Sequence, residues 1–201
     1  MSTYRSRIEI PPLVQQAHGI CEQLAFTRSC LPAVGRFLGV LAAHVQDGII
    51  GEIGTGCGVA TAWMASFVTA NTQLVSVEND AMRAQAVAAL FRHRPNVRIL
   101  HADWPEILAY GPFDLLFFDG GPLKAPLGGT IEREKIERVI TATRFGGCIV
   151  LDDLTPDATT REGQRPPCDP VREFWLNDPR FAATEVLTTP DSIAILATRL
   201  G

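Results

Sequence analysis

Lysine is scarce in this chain of 201 residues, because only Lys124 and Lys135 supply it among 18 basic side chains. An excess of positive charge is also missing, since the formal net charge is −4. A chain with this balance lacks the basic surface by which proteins hold a phosphate backbone. Nucleic acid is therefore not an expected partner, and the scarcity of lysine draws attention to the position of Lys124.

Long apolar runs are absent too, and none approaches the roughly 18 residues that a membrane-spanning helix requires. Residues 1–7 are not followed by the apolar core of a signal peptide, so we expect a cytoplasmic protein without a membrane partner. The length suits one domain with a substantial core. We divide that domain into an N-terminal helical segment over residues 1–46 and an α/β core over residues 47–201.

Paired metal-ligand spacings are the third absence. The five cysteines show no C-x-x-C spacing, at positions 21, 30, 57, 148 and 168. The four histidines show no i, i+4 pairing, at positions 18, 44, 93 and 101. We therefore expect reduced thiols rather than a disulfide framework, and no histidine-ligated metal.

A glycine-rich stretch over residues 48–61 is the most informative part of the sequence. Apolar residues and glycines lead into Glu52, glycines recur at 54, 56 and 58, and an alanine-rich apolar segment follows. This order predicts a strand, a tight turn and a helix. Glycine lets backbone N–H groups approach a ligand closely at a helix N-terminus, so we expect a small ligand here, with an ordinary β-α turn as the alternative.

The spacing of the glycines in this loop narrows the class of ligand that the loop can bind. A dinucleotide fingerprint starting at Gly54 would need a third glycine at position 59, where the chain has Val59. A phosphate-binding P-loop would need a lysine close by, and none is present. Glu52 would repel a pyrophosphate but could pair with a cationic ligand.

Acidic residues follow several of the other predicted strands. Glu78 ends the second strand and Asp119 ends the fourth, which is nearly all apolar and reads as a central buried strand. In an open α/β sheet, ligands collect outside the carboxyl ends of the strands, and an acid after the second strand can accept hydrogen bonds from ribose hydroxyls. The predicted strands after the first cover residues 73–78, 97–100, 113–119, 147–153, 181–187 and 192–198.

Helical spacing and caps predict the remaining elements. Helices are expected over residues 13–26, 32–44, 57–68, 81–93 and 130–143, and a sixth begins at Pro170 with Asp169 as its cap. Ser29 or Cys30 is expected to cap the second helix. The connection over residues 154–170 reads as a substrate-side lid.

Glu52-x-Gly54-x-Gly56-x-Gly58, the strand ending in Asp119 and residues 146–153 together resemble class I S-adenosylmethionine-dependent methyltransferases. Within that superfamily they are most similar to the small catechol and caffeoyl-CoA type O-methyltransferases of bacteria. The resemblance covers about residues 29–199 as a pattern of elements. It implies an α/β fold with a Rossmann-like, doubly wound sheet of seven strands, mostly parallel with an antiparallel last strand, plus N-terminal helices.

The resemblance also implies how S-adenosylmethionine would be held. Glu52 would lie near the methionine amino group, and Glu78 would bind both ribose hydroxyls. Asp103 would accept the adenine amine with Trp104 against the ring, although an N-cap aspartate and a core tryptophan remain an equal alternative. The full set of expected cofactor contacts is Ser29, Glu52, Gly54, Thr55, Gly56, Gly58, Glu78, Asn79, Asp103, Trp104 and Asp119.

For catalysis, the resemblance points to Asp119 and Lys124, and to a Mg²⁺ ion held by Asp119, Asp152 and Asp153. Two departures from the family pattern bear on these roles. Asp153 replaces an asparagine, and Lys124 lies two residues later than the family's lysine. The alternative for Asp152 and Asp153 is that they cap the following loop.

The expected function is O-methylation of a small hydroxylated metabolite, phenolic or similar, with that small molecule as the partner. An NAD-dependent oxidoreductase and a non-catalytic S-adenosylmethionine-binding protein are the alternatives. The sequence carries no readable code for the methyl acceptor or for the oligomeric state, for which a homodimer is the assembly to test.

Overall fold

The computed structural model describes residues 9–119, 123, 130–156 and 169–201. The helices are α1 (Pro12–Gln23), α2 (Pro32–His44), α3 (Val59–Ala65), α4 (Ala81–Leu90), α5 (Arg133–Ala142) and α6 (Pro170–Asn177), with a 3₁₀ helix over Trp104–Tyr110. The strands are β1 (Ile49–Ile53), β2 (Gln73–Glu78), β3 (Val97–His101), β4 (Phe113–Phe118), β5 (Thr143–Leu154), β6 (Phe181–Thr189) and β7 (Ser192–Arg199).

The strands form one seven-stranded sheet in the order β3-β2-β1-β4-β5-β7-β6. The first five pair in parallel, and β7 lies antiparallel between β5 and β6. The predicted α/β fold, mostly parallel with an antiparallel last strand, is confirmed. Because the order reverses between β1 and β4, the carboxyl ends of these two strands flank the crevice where ligands bind in such sheets.

Two apolar clusters cover the two faces of the sheet and fix this crevice. One cluster contains Leu38, Trp63 and Val87 from the helices on one face. The other contains Ile136 and Trp175 from the helices on the opposite face. Burial of both faces explains why β4 is a nearly continuous apolar run, since a parallel strand covered by helices on each side has no solvent face.

The structure corrects several local predictions. Leu31 is the N-cap residue of α2 and makes no side-chain capping bond, so the prediction that Ser29 or Cys30 caps this helix is wrong. Pro32 at the first helical position starts the helix without a polar cap, because its fixed φ suits the first turn. The 3₁₀ helix that begins at Trp104 was not predicted, and α3 is shorter than the 57–68 expected.

The predicted cap of α6 is confirmed, because Oδ1 of Asp169 accepts hydrogen bonds from the backbone N–H groups of Val171 (3.0 Å) and Arg172 (3.3 Å). The predicted lid lies largely outside the described residues, and so does Lys124. Among the helices that the structure describes, none is long and apolar enough to cross a membrane.

Candidate cofactor and active site

The loop between β1 and α3 has glycines because its backbone requires them. Gly54, Gly56 and Gly58 have φ values of +96°, +54° and +79°, a region that side-chain-bearing residues rarely adopt. A Cβ on Gly54 would lie 2.8 Å from the carbonyl oxygen of Asp119, and one on Gly58 would lie 2.6 Å from Cγ1 of Val87. Packing alone therefore excludes larger residues at the first and third glycines.

The middle glycine joins the loop to the end of β2. The backbone N–H of Gly56 donates a 2.8 Å hydrogen bond to Oε2 of Glu78. The nearest atom to a Cβ at Gly56 would be Cε1 of Phe26 at 3.3 Å, which places the aromatic ring of the α1–α2 linker beside the loop. The two cofactor signatures of the sequence, the glycine loop and the acid after β2, are thus in direct contact.

The carboxylate of Glu78 is almost fully buried, with 6% of the residue exposed. Its Oε1 accepts hydrogen bonds from the backbone N–H of Asp80 (2.9 Å) and from Nη2 of Arg83 (2.8 Å). The hydrogen bond from Arg83 to Glu78 is the main cause that raises the pKa of the guanidinium. Glu78 is therefore held in one orientation by protein donors on both of its oxygens.

Glu52 lies on the central strand β1 with none of its surface exposed. Its Oε2 accepts a hydrogen bond from the Thr61 hydroxyl. Oε1 has no hydrogen-bond partner among the described residues. The nearby Ser76 hydroxyl is bonded at 2.5 Å to the hydroxyl of Thr55. Burial raises the pKa of Glu52 to about 8, against the lowering effect of the Ser76 and Thr61 hydroxyls. A buried acid in this state is stabilised by a cationic partner.

The α1–α2 linker brings Cys30 to the carboxyl ends of the strands. Burial raises the pKa of the Cys30 thiol well above its usual range, and the negative charges of Asp119, Asp152, Glu52 and Asp153 raise it further. These four carboxylates therefore lie near one thiol. The side chain next to it, Ser29, is half-buried at this end of the linker.

The end of β5 is bent where two of these acids lie. Asp153 has a φ of +64°, and the β5–β7 register shifts between Leu151 and Leu154. An aspartate tolerates the left-handed region better than most residues. The register shift therefore changes the direction of the strand end at a modest cost in backbone strain. Asp152 is buried and Asp153 is exposed.

Comparison with known proteins decides the family. A family model of a methyltransferase domain matches residues 52–154. This chain belongs to the methyltransferase family. The matched segment begins at Glu52 and ends with β5, so it contains the glycine loop, Glu78, the acid after β4 and the two acids near the end of β5.

Two named relatives resemble the methyltransferase over part of their length. A catechol O-methyltransferase of Niastella koreensis is 32% identical over 139 residues, which cover 64% of this chain and 59% of the relative. A Mycobacterium sp. (strain JLS) protein named as a candidate O-methyltransferase is 28% identical over 127 residues, which cover 60% of this chain and 54% of that protein. The chain therefore aligns with little more than half the length of these relatives.

Solved structures share the fold of the methyltransferase. A Bacillus cereus O-methyltransferase in complex with S-adenosylhomocysteine superposes with a TM-score of 0.73 at 19% identity, covering 96% of this chain and 93% of that one. A Streptomyces achromogenes O-methyltransferase of tomaymycin synthesis, in complex with S-adenosylmethionine, gives 0.73 at 19% identity, covering 96% and 92%. The predicted resemblance and fold are confirmed.

The described residues of the methyltransferase contain no group of three or more His, Cys, Asp or Glu side chains that could hold a metal ion. Asp119, Asp152 and Asp153 lie at the same edge of the sheet, but their placement does not fit the Mg²⁺ site that the resemblance implies.

The remaining predicted contacts of the methyltransferase lie around the end of β3. Asp103 is exposed at the N-cap position of the 3₁₀ helix, where its side chain makes no capping bond. Trp104 packs against the cluster on its face of the sheet, with the Arg138 guanidinium 6.0 Å from its ring centroid. Trp104 is thus partly buried, and both of its predicted roles stay predictions, as does the contact of Asp103 with the adenine. Asn79 is exposed beside Glu78.

Sequence reasoning missed four side chains of the methyltransferase that contact the predicted site residues. Thr61 and Ser76 lie beside Glu52, and Phe26 and Arg83 lie beside Gly56 and Glu78, a set joined by tertiary contacts rather than by a motif. A contact between Arg83 and Glu78 could have been predicted, since Arg83 lies near the start of the helix that follows Glu78.

Proposed function

We propose that this methyltransferase transfers a methyl group from S-adenosylmethionine to a hydroxyl group of a small phenolic or similarly hydroxylated metabolite. The observation that carries the proposal is the fully buried Oε1 of Glu52, which has no hydrogen-bond partner in the described part of the chain and lies two residues before a glycine loop that is bonded to Glu78. A ligand with an amino group at one end and a ribose at the other matches both acids.

The cofactor, when bound, supplies an activated methyl group on a sulfonium. The chain's own contribution is to hold that group and the acceptor in line, since methyl transfer depends mainly on positioning. A positively charged amino group near Glu52 would lower the pKa that burial has raised to about 8, so the carboxylate becomes charged as the ligand binds. Ribose hydroxyls would donate to Glu78.

The acceptor hydroxyl is assigned to the region between Asp119 and Cys30. Asp119 follows β4 directly, and its backbone N–H bonds the carbonyl of Ile53 at 3.0 Å, which fixes it beside the glycine loop. We assign its carboxylate as the base that accepts the proton of the acceptor hydroxyl. Cys30 does not compete for the methyl group, because its raised pKa keeps it a thiol rather than a nucleophilic thiolate.

The named relatives support the acceptor class, since one of them is a catechol O-methyltransferase. An NAD-dependent oxidoreductase is disfavoured, because Val59 occupies the place of the third fingerprint glycine and Glu52 would meet the pyrophosphate. Lys124, Mg²⁺ and a homodimer stay predictions of the resemblance.

Transfer of a labelled methyl group into a panel of phenols tests the proposal. We expect a methylated product with one or more phenols, and a loss of kcat in Asp119→Asn that is much larger than the loss of S-adenosylhomocysteine affinity. Asp191→Asn, an exposed aspartate in the β6–β7 turn, is the matched control and should keep full activity. Cofactor binding without transfer to any acceptor in the panel or in cell extracts would support a non-catalytic binding protein instead.

A further inference from the structure

The guanidinium of Arg83 uses acceptor capacity on Glu78 that a ribose would need. A carboxylate offers about four lone-pair positions. In this structure Asp80 N–H (2.9 Å) and Arg83 Nη2 (2.8 Å) both donate to Oε1, and Gly56 N–H (2.8 Å) donates to Oε2. Only one position remains, on Oε2. Two vicinal hydroxyls need two.

Of the three donors, Arg83 is the one that can leave. The N–H groups of Gly56 and Asp80 belong to the backbone of the glycine loop and of the α4 cap, so they are fixed by the fold. Arg83 is held by a flexible side chain that is 28% exposed. Its Nε is buried without a hydrogen-bond partner among the described residues, so the side chain is incompletely satisfied where it lies.

Two other groups already contact the guanidinium and would retain it if its bond to Glu78 were broken. Oδ2 of Asp80 lies 3.6 Å from Nη1, and the ring centroid of Phe26 lies 5.3 Å from Cζ of Arg83. An aromatic face and a partly exposed carboxylate are both favourable partners for a guanidinium. Phe26 also lies against Gly56, so the ring is adjacent both to the loop and to Arg83.

We propose that Arg83 is a latch on the ribose-binding acid: its guanidinium competes with the ribose hydroxyls for Oε1 of Glu78, and when it gives way it is retained by Asp80 and Phe26, which it already contacts. This inference rests on the proposed role of Glu78 toward the ribose. The proposal makes Arg83 a residue that sets cofactor affinity and makes this affinity depend on the two ribose hydroxyls. Arg83 does not contact the reacting atoms.

The latch predicts a coupling between Arg83 and one ribose hydroxyl. When a hydroxyl is missing from the ligand, Arg83 can return to the vacated position on Glu78 and offset the loss. In a variant without the guanidinium, nothing replaces the missing hydroxyl. The penalty for a deoxyribose ligand should therefore be larger in the variant than in the native protein.

Calorimetric titration with S-adenosylhomocysteine and with its 2′-deoxy and 3′-deoxy counterparts tests the latch, in the native protein, Arg83→Met and Arg83→Gln. We expect both variants to bind S-adenosylhomocysteine more tightly than the native protein, by about threefold or more, which is the size of a partly exposed ion pair. We also expect a larger deoxy penalty in both. Arg98→Met is the matched control, because Arg98 also lies over an aromatic ring, 5.6 Å from that of Tyr110, and should change neither quantity.

Weaker binding of S-adenosylhomocysteine by Arg83→Met and Arg83→Gln, with an unchanged or smaller deoxy penalty, would overturn the latch and make Arg83 a residue that orients Glu78. Glu78→Gln separates this failure from failure of the proposed function. If that variant loses affinity while the arginine variants do not gain it, the latch alone is wrong. If Glu78→Gln binds as well as the native protein, both inferences are wrong.

Discussion

The backbone N–H of Gly56 donates to Oε2 of Glu78 across 2.8 Å, and this bond joins two segments that are 22 residues apart in the sequence. Because the bond ends on a carboxylate, it is stronger than a bond between neutral groups. It holds the glycine loop against the end of β2 through protein atoms alone. The site is therefore preorganised along the line where the nucleoside part of a cofactor would lie.

Replacing Glu78 tests the ribose assignment. Glu78→Gln keeps an acceptor for Gly56 but removes the charge, so the affinity for S-adenosylhomocysteine should fall roughly 10- to 100-fold, as for loss of hydrogen bonds to a charged group. Glutamine is preferable to alanine, since alanine would leave the donors of Gly56, Asp80 and Arg83 without their acceptor. Calorimetry measures the change, with the exposed Glu106→Gln as control. Unchanged affinity would remove Glu78 from the site.

A branched residue at the middle glycine should abolish cofactor binding. Gly56→Val imposes a β-branched side chain at φ +54° and drives it toward Phe26. Gly146→Val is a matched control, because Gly146 also has a positive φ of +76° but would place its Cβ in open space. Both variants carry backbone strain and should lose thermal stability. Only Gly56→Val should also lose cofactor binding. Normal binding by Gly56→Val would reduce the loop to a structural turn.

Glu52 should make stability depend on pH in a defined window. Its folded pKa is raised from 4.5 to about 8, so between these values the folded state holds a proton that the unfolded state has lost. Stability contributed by this group is therefore present below pH 4.5 and decreases as the pH rises toward about 8. Glu52→Gln should flatten the dependence and be relatively more stable than the native protein at pH 8, while binding the cofactor poorly. Parallel stability curves for the two proteins would contradict the raised pKa.

Metal removal tests the magnesium prediction. Since Asp119, Asp152 and Asp153 do not form a metal-holding group among the described residues, we expect S-adenosylhomocysteine binding to survive exhaustive chelation. Methyl transfer should survive it as well once an acceptor is known. Loss of transfer that added magnesium restores would show instead that the three carboxylates assemble around the ion.

The sequence predicted the sheet well because its strands carry strong, local signals. The run over Phe113–Phe118 is apolar on both faces, and the glycines after Glu52 each meet a backbone requirement at their own position. The acid at the end of β2 was also found, since its place follows from the fold. Each of these features is determined by residues that are close together in the sequence. Periodicity and spacing detect local features of this kind.

The contacts between distant segments could not be predicted in the same way. Phe26 reaches Gly56 only after α1 and its linker have packed on the sheet, and the pairing of Thr55 with Ser76 depends on the register of β1 and β2. The prediction of the α2 cap failed for a local reason, because Pro32 can begin a helix without a polar cap and Leu31 precedes it. Side-chain partners across a core have no sequence code of their own.

Titration calorimetry of the native protein with S-adenosylhomocysteine and, separately, with NAD⁺ measures which of the two ligands the glycine loop accepts. We expect saturable binding of one S-adenosylhomocysteine per chain and no binding of NAD⁺, because Glu52 favours a cationic ligand and Val59 breaks the dinucleotide fingerprint. Binding of NAD⁺ with no binding of S-adenosylhomocysteine would contradict the proposed cofactor.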